Sequence, residues 1–416
     1  MKLISQLQKC KEAARELRSA KTERKDQVLL RVAELLTLEQ ASVLKANAKD
    51  VKSLPPGTTD AFRDRLLLDE KRLEQMAESL RQVAALPDPV GEEVDRRTLP
   101  NGLVLRRRRS PLGVILMIFE SRPNVATEAF SLAFKAGNVT LLRGGKESMN
   151  STGALYRLMD QALKEADFSP HTLWGITRPE RSLTNQLLKE RKWIDIVVPR
   201  GGDRLIDFVV KNSEIPIIKN DRGLCHIYVD QAADLEMACK IVVNAKTQRP
   251  GVCNAMETLL VHEKVSRDFL PQVHSAMEPF AVEWHLCPES LKILKGRRRL
   301  KRAKPADWDT EYLDLKINCK VVRDFDEALS HIERHGSQHS ESIVTASEPA
   351  ARRFQDEVDG AAVYWNASTR FTDGFEFGLG GELGISTQKL HVRGPVGLRE
   401  LTNLRWIIDG TGQIRG

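Results

Sequence analysis

The sequence predicts an α/β protein with two doubly wound units and a small β-ribbon. Three observations carry this expectation. From Gly113 onward, short apolar runs alternate with amphipathic helical stretches, the rhythm of parallel sheets covered by helices. A wholly helical segment precedes that rhythm. Between the two lies Asn101-Gly102, a two-residue hairpin signal flanked by strand-like, charged residues.

Taken in order, residues 1–86 read as helical. Met1 to Lys25 forms one charged amphipathic helix, and Asp69 caps a helix whose Leu73, Met76, Ala77, Leu80, Val83 and Ala84 share a face. Pro87 and Pro89 end the region. Thr98 to Arg109 follows as an exposed ribbon suited to pairing with another element or subunit. Val114–Phe119 is continuously apolar, as befits a parallel strand buried on both faces. Further strands are expected at 139–142, 172–176, 194–198, 215–218 and 225–229, with helices at 125–136, 148–166, 180–190 and 202–211. A second α/β unit spans about 234–380, with strands Glu257–His262, Ile317–Val322, Ser342–Thr345 and Ala361–Trp365 and helices near 234–246, 266–278, 325–335 and 348–357. Leu401 to Ile408 is a last strand, placed to rejoin the ribbon.

A chain of 416 residues exceeds one compact core, so two or three domains are expected. No apolar run is long enough for a membrane span, and the N-terminus lacks the apolar core of a signal peptide; a cytoplasmic protein is the simplest expectation. The six cysteines are scattered without CxxC or zinc spacing, so neither disulfides nor a metal site is expected. His331, His335 and His339 are spaced by four, but Gly336 interrupts their helix. The net charge of +7 suits either nucleic acid or an anionic substrate and cofactor. Much of it lies in Arg106–Arg109 and in Lys292–Lys304; the second run lacks interleaved aromatics and reads as a solvated surface loop, with anion binding as the alternative.

Two glycine turns follow predicted strands: Arg143-Gly144-Gly145-Lys146 and Arg200-Gly201-Gly202-Asp203. Both put glycine backbone and cations at the carboxyl end of a strand, where α/β sheets bind ligands and helix N-termini favour anions. Neither is a GxGxxG fingerprint or a P-loop, and each alone is also readable as an ordinary tight turn. In Asn244 to Asn254, a helix gives way to a Pro250-Gly251 loop carrying Cys253 just before a strand. Lys246 and Arg249 lie close in sequence, and nearby cations lower a thiol pKa. An inert, half-buried cysteine is the competing reading. Cys239 in mid-helix and Cys319 in mid-strand are core candidates; Cys225 starts a strand, Cys10 lies on a surface helix and Cys287 precedes a proline.

Several longer motifs resemble one family. Ser121 to Val125, Leu142 to Glu147, Pro199 to Gly202, Cys225 to Asp230, Asn244 to Cys253, Asn366 to Gly374 and Ser386 to His391 are similar to the γ-glutamyl phosphate reductase family of the aldehyde dehydrogenase superfamily, across nearly the whole chain. The resemblance implies an aldehyde dehydrogenase-like fold: an NADP-binding domain over 1–94 and 110–224, a catalytic domain over 225–380 and an oligomerisation ribbon over 95–109 and 395–416. It implies a homo-oligomer, no nucleic-acid or membrane partner, and a small-molecule substrate, L-glutamyl 5-phosphate, reduced by NADPH to glutamate 5-semialdehyde and phosphate in the second step of proline biosynthesis. A transient contact with glutamate 5-kinase belongs to the same expectation.

On this resemblance Cys253 is the nucleophile, with its own N–H and the Asn124 side chain as oxyanion donors. Arg143, Gly144, Gly145, Lys146, Arg200, Gly201, Gly202 and Glu311 hold the cofactor. Arg122, Arg249, Asn366, Ser368, Thr369 and Arg370 form the glutamyl or phosphate pocket. Ile218 occupies the place of the glutamate that hydrolytic relatives use as a base, which favours reduction over hydrolysis. Lys219-Asn220-Asp221 departs from the family, whose relatives often carry glycine there.

Overall fold

A computed structural model describes residues 3–177, 180–220 and 222–415 (for Ala61, the backbone alone). Five helices open the chain: Leu3–Leu17, Thr22–Leu38, Gln40–Lys52, Asp60–Leu66 and Glu70–Ala85. The stretch expected as one helix to Lys25 is therefore two, broken at 18–21. Cys10 is fully buried with Leu7, Ala13, Ala14 and Leu17, not on the surface, because these positions form the inward stripe of the first helix. Asp69 caps the fifth helix, its Oδ1 accepting from the Arg72 N–H at 2.7 Å.

Two buried lysines bind this helical layer to the helix Asn124–Lys135 behind it. Lys25 Nζ pairs with Asp88 and donates to the Lys135 carbonyl at 2.9 Å; Lys135 Nζ pairs with Asp26 and donates to the Ala84 carbonyl at 2.9 Å. Each ammonium thus reaches a carboxylate and a main-chain oxygen, the condition under which a buried charge is tolerated.

Strands β1 (Glu93–Thr98) and β2 (Val104–Pro111) form an antiparallel hairpin. Its connection is longer than a two-residue turn: Leu99 N–H donates to Leu103 at 2.8 Å, and Gly102 takes the left-handed conformation at φ +86°. Strands β3 (Val114–Phe119), β4 (Val139–Arg143), β5 (Leu173–Gly175) and β6 (Ile196–Arg200) make a parallel sheet in the order β5-β4-β3-β6. The strand expected at 215–218 reduces to one bridge, Ile217 to Val197.

Strand β7 (Cys225–Val229) does not extend that sheet. It lies inside a second parallel sheet with β8 (Met256–His262), β9 (Glu283–Leu286), β10 (Leu300–Arg302), β11 (Lys316–Val322), β12 (Ser340–Val344) and β13 (Ala362–Trp365), in the order β10-β9-β11-β8-β7-β12-β13. Apolar periodicity marks a strand but carries no information on its neighbours. The basic run 292–304 is not a plain loop: a helix, Pro288–Ile293, enters it, and β10 closes the sheet with Lys301 and Arg302 exposed, as suits an edge.

The chain then returns to the first unit. Strands β14 (Ile385–Ser386) and β15 (Gly394–Pro395) form a short hairpin, while Leu383, Val392, Val396, Leu398 and Leu401 pack into the first core. Strand β16 (Thr402–Asp409) pairs antiparallel with β2, giving the three-stranded sheet β1-β2-β16.

Removing the Lys25 ammonium leaves Asp88 buried without its ion-pair partner. Lys25→Ala should lower the unfolding free energy by about 3 kcal/mol, read as a shifted urea midpoint with an unchanged slope.

Candidate active site

The helix Leu235–Thr247 ends in a turn-rich loop that leads into β8 and carries half-buried Cys253. The main chain there is gripped from several sides. The Cys225 thiol donates to the Cys253 carbonyl at 3.2 Å. Gly223 lies so close that a Cβ would overlap the same carbonyl oxygen, so only glycine fits. The Gly223 N–H in turn donates to Glu311 Oε1 at 2.9 Å. Next along the chain, the Asn254 carbonyl accepts from Thr369 Oγ1 at 2.7 Å, and its buried side-chain amide donates to the Thr372 carbonyl at 2.8 Å and the Arg370 carbonyl at 3.3 Å.

Burial pushes the Cys253 thiol up to about 11; Arg200 is the chief opposing charge, while Glu382 and Glu311 push it further up. The Cys253 N–H lies against its own sulfur and favours the thiolate. Lys246, expected to activate the thiol, is fully buried and pairs with Glu257 at 3.0 Å. Its charge is spent inside the second unit because an unpaired buried ammonium is too costly. Burial also lifts the Glu382 carboxyl to about 7, and its Oε2 is buried with no hydrogen-bond partner.

A cleft of about 840 Å³ opens beside this loop, lined by Arg65, Arg122, Asn124, Glu128, Arg249 and Phe375 among others. Asn124, Thr127, Glu128 and Ser131 supply one face of the helix Asn124–Lys135 to it. Burial, then Arg65, Arg200 and Arg249, lower the pKa of Arg122, so four guanidinium groups share one field. The structure thus brings together Arg122, Asn124 and Arg249, as the sequence motifs suggest. It adds Arg65 and Glu128, which no local motif marks; only the packing of the N-terminal helices against the helices Asn124–Lys135 and Met149–Glu165 brings Arg65 here. Arg370 reaches the same loop, bonding Asn254 Oδ1 and, through Nε, Gln248 Oε1 at 2.9 Å.

The remaining members of the 366–370 motif are engaged in the scaffold. Asn366 adopts φ +56° and bonds the Thr345 main chain through both ends of its amide, at 3.0 Å each. Ser368 Oγ accepts from the Arg370 N–H at 3.3 Å, and Thr369 is fully buried.

A second cleft, of about 450 Å³, lies at the carboxyl ends of β3 and β4 and is lined by Ser121, Arg143, Gly145, Lys146, Arg181 and Arg204 with Phe119 and Phe208. A Cβ on Gly144 would come within 3.1 Å of the Phe119 ring, and one on Gly145 within 3.3 Å of the Ser121 nitrogen, so the two glycines keep this cradle open. Arg200 does not line it. Its guanidinium lies 2.8 Å from the position of a Cβ on Gly384 and acts on Cys253, Glu128 and Glu382. The cation that the second glycine turn offers to this cleft is Arg204, one turn into the helix Asp203–Asn212. A side chain on Gly201 would strike Glu120, 2.6 Å away.

Ile218 is buried. Asn220 finds room because Gly384, at φ +122°, lacks the Cβ that would overlap its amide, which donates to the Leu383 carbonyl at 3.2 Å. Asp221 lies outside the described residues. Among the described residues no cluster has metal-ligand geometry, and the His331 and His335 rings lie against each other at 42°, with centroids 4.6 Å apart.

Known proteins resemble this chain in sequence and fold. The aldehyde dehydrogenase family profile matches residues 3–290. The chain is 50% identical to the gamma-glutamyl phosphate reductase of Carboxydothermus hydrogenoformans, over all of this chain and 99% of that protein. It is 47% identical to that of Clostridium tetani, covering 99% and 98%. Its structure matches the crystal structure of the gamma-glutamyl phosphate reductase of Thermotoga maritima at a TM-score of 0.97 and 43% identity, with both chains fully covered. The chain belongs to the aldehyde dehydrogenase family and, within it, to the gamma-glutamyl phosphate reductases.

Proposed function

We propose that this chain reduces L-glutamyl 5-phosphate to L-glutamate 5-semialdehyde and phosphate with NADPH, in the cytoplasm, as the second step of proline biosynthesis from glutamate. The observation that carries the proposal is a half-buried thiol beside an arginine-lined cleft, with buried Ile218 in the place of a hydrolytic base. Family membership supports the substrate.

The Cys253 thiolate attacks the acyl carbon, the acyl–oxygen bond breaks and phosphate leaves, so the glutamyl group is held as a thioester. Arg122, Arg249 and Arg370 supply charge-assisted bonds to the phosphate and carboxylate of the substrate. The Cys253 N–H and the Asn124 amide serve the developing oxyanion. In the second cleft Arg143 and Lys146 suit a 2′-phosphate; Glu311, outside that cleft and bonded to the Gly223 N–H, suits the nicotinamide ribose. The nicotinamide cofactor, when bound, supplies the hydride that resolves the thioester. Because Ile218 is apolar, the position at which hydrolytic relatives carry their base offers none, which favours release of Cys253 with an aldehyde instead of an acid. Asn366, Ser368 and Thr369 act by shaping the turn that presents Arg370.

The three-stranded sheet exposes Trp406 at 46% and Ile408 at 58% of their surface, along with Val94 and Leu404. We assign it as the face that joins copies of this chain into a homo-oligomer. The acyl phosphate substrate is labile, so transient contact with glutamate 5-kinase belongs to the same proposal.

Cys253→Ala should reduce turnover to below about one hundredth of wild type, and oxidation of pyrroline-5-carboxylate should require phosphate or arsenate; phosphate-independent turnover would exclude this chemistry. Arg143→Ala should raise KM for NADPH by about tenfold while leaving KM for NADH nearly unchanged, as measured by initial rates. Trp406→Glu should shift the protein to a smaller species in size-exclusion chromatography with light scattering.

A further inference from the structure

We infer that Cys225 is a positioning residue for the nucleophile: its thiol holds the Cys253 main chain in the orientation that aims the Cys253 sulfur. This rests on the proposed reaction, in which Cys253 attacks an acyl carbon. Cys225 opens β7, fully buried, and its Sγ lies 3.2 Å from the Cys253 carbonyl oxygen. Behind it runs a buried polar chain. Cys225 Sγ lies 3.7 Å from His339 Nδ1, which lies 2.8 Å from Ser340 Oγ; Thr372 Oγ1 lies 2.7 Å from Ser340 Oγ and 2.7 Å from Tyr364 OH.

This arrangement decides which way the thiol points. A thiol has one proton to give. The nearer acceptor is the Cys253 carbonyl, and His339 Nδ1 is already met by the Ser340 hydroxyl. Burial keeps the Cys225 thiol protonated, and thus a donor, and keeps His339 neutral. The carbonyl is therefore clamped between a donor on one side and the bare Gly223 backbone on the other, where any side chain would overlap it. Fixing that carbonyl fixes the peptide plane after Cys253. Without the donor, a buried carbonyl loses its hydrogen bond and the peptide is free to rotate toward another. Small misplacement of a reacting atom is costly in rate. Cys225 itself, buried and protonated, takes no part in the chemistry.

The test uses the full-length protein with Cys225→Ala, Cys225→Val and Cys225→Ser. Valine fills the space without a donor, so it asks the question even if the alanine cavity unfolds the chain; serine keeps a donor. Two quantities are read: the rate at which iodoacetamide alkylates Cys253 without substrate, located by mass spectrometry, and kcat with KM for phosphate-dependent oxidation of pyrroline-5-carboxylate. The expected result is a kcat lower by about tenfold in the valine variant with KM nearly unchanged, an altered alkylation rate, and recovery by serine to within about threefold of wild type. Wild-type kcat and alkylation in the valine variant would overturn the inference, as would a serine variant no better than valine at equal melting temperature. Absence of this turnover in the wild type would instead refute the proposed reaction, and the alkylation arm would still decide the role of Cys225.

Discussion

The peptide joining Cys253 to Asn254 is the point on which the site depends. Its carbonyl, that of Cys253, accepts from Cys225, the following carbonyl, that of Asn254, accepts from Thr369, Gly223 presses on it, and the Asn254 side chain ties it to the 369–372 turn. Those partners come from β7, from the turn after β13 and, through Gly223, from Glu311. The loop carrying Cys253 is thus held by the rigid second sheet on one side and by the chain's return path on the other. This is how a loop can place a reactive atom with the accuracy that catalysis requires.

Around that peptide the charges are sorted by burial. Lys246 and Glu257 neutralise each other inside the second unit, while Arg65, Arg200 and Arg249 stay close enough to Arg122 to lower its proton affinity. A field of that kind is unfavourable in the empty protein and favourable once an anion enters. The buried carboxyls Glu128 and Glu382 lie within the same field, and burial raises the pKa of both. Resting Cys253 is mainly a thiol for the same reason: burial opposes its charge more strongly than Arg200 supports it.

Much of this was legible beforehand. Alternating apolar runs and amphipathic helices state the α/β class, and the motifs around Ser121, Arg143, Cys225, Cys253 and Asn366 state the family, because each encodes a turn or strand end that local chemistry dictates. What misled was equally local. Lys246 stands seven residues before Cys253 yet points into the core, since helix periodicity and the cost of a buried charge, rather than proximity in sequence, direct its side chain. Cys10 reads as surface in a charged helix but lies on its apolar stripe.

The sequence by itself determined the kinds of elements, the candidate thiol at Cys253 and the apolar residue at position 218, all of which are properties of short segments. Only the tertiary structure decided that Arg65 reaches the larger cleft, that Arg200 acts on the Cys253 thiol while Arg204 faces the second cleft, and that the Cys225 thiol bonds the Cys253 carbonyl. These are contacts between residues tens to hundreds of positions apart. They are set by which surfaces bury each other, and no local pattern of residues encodes that choice.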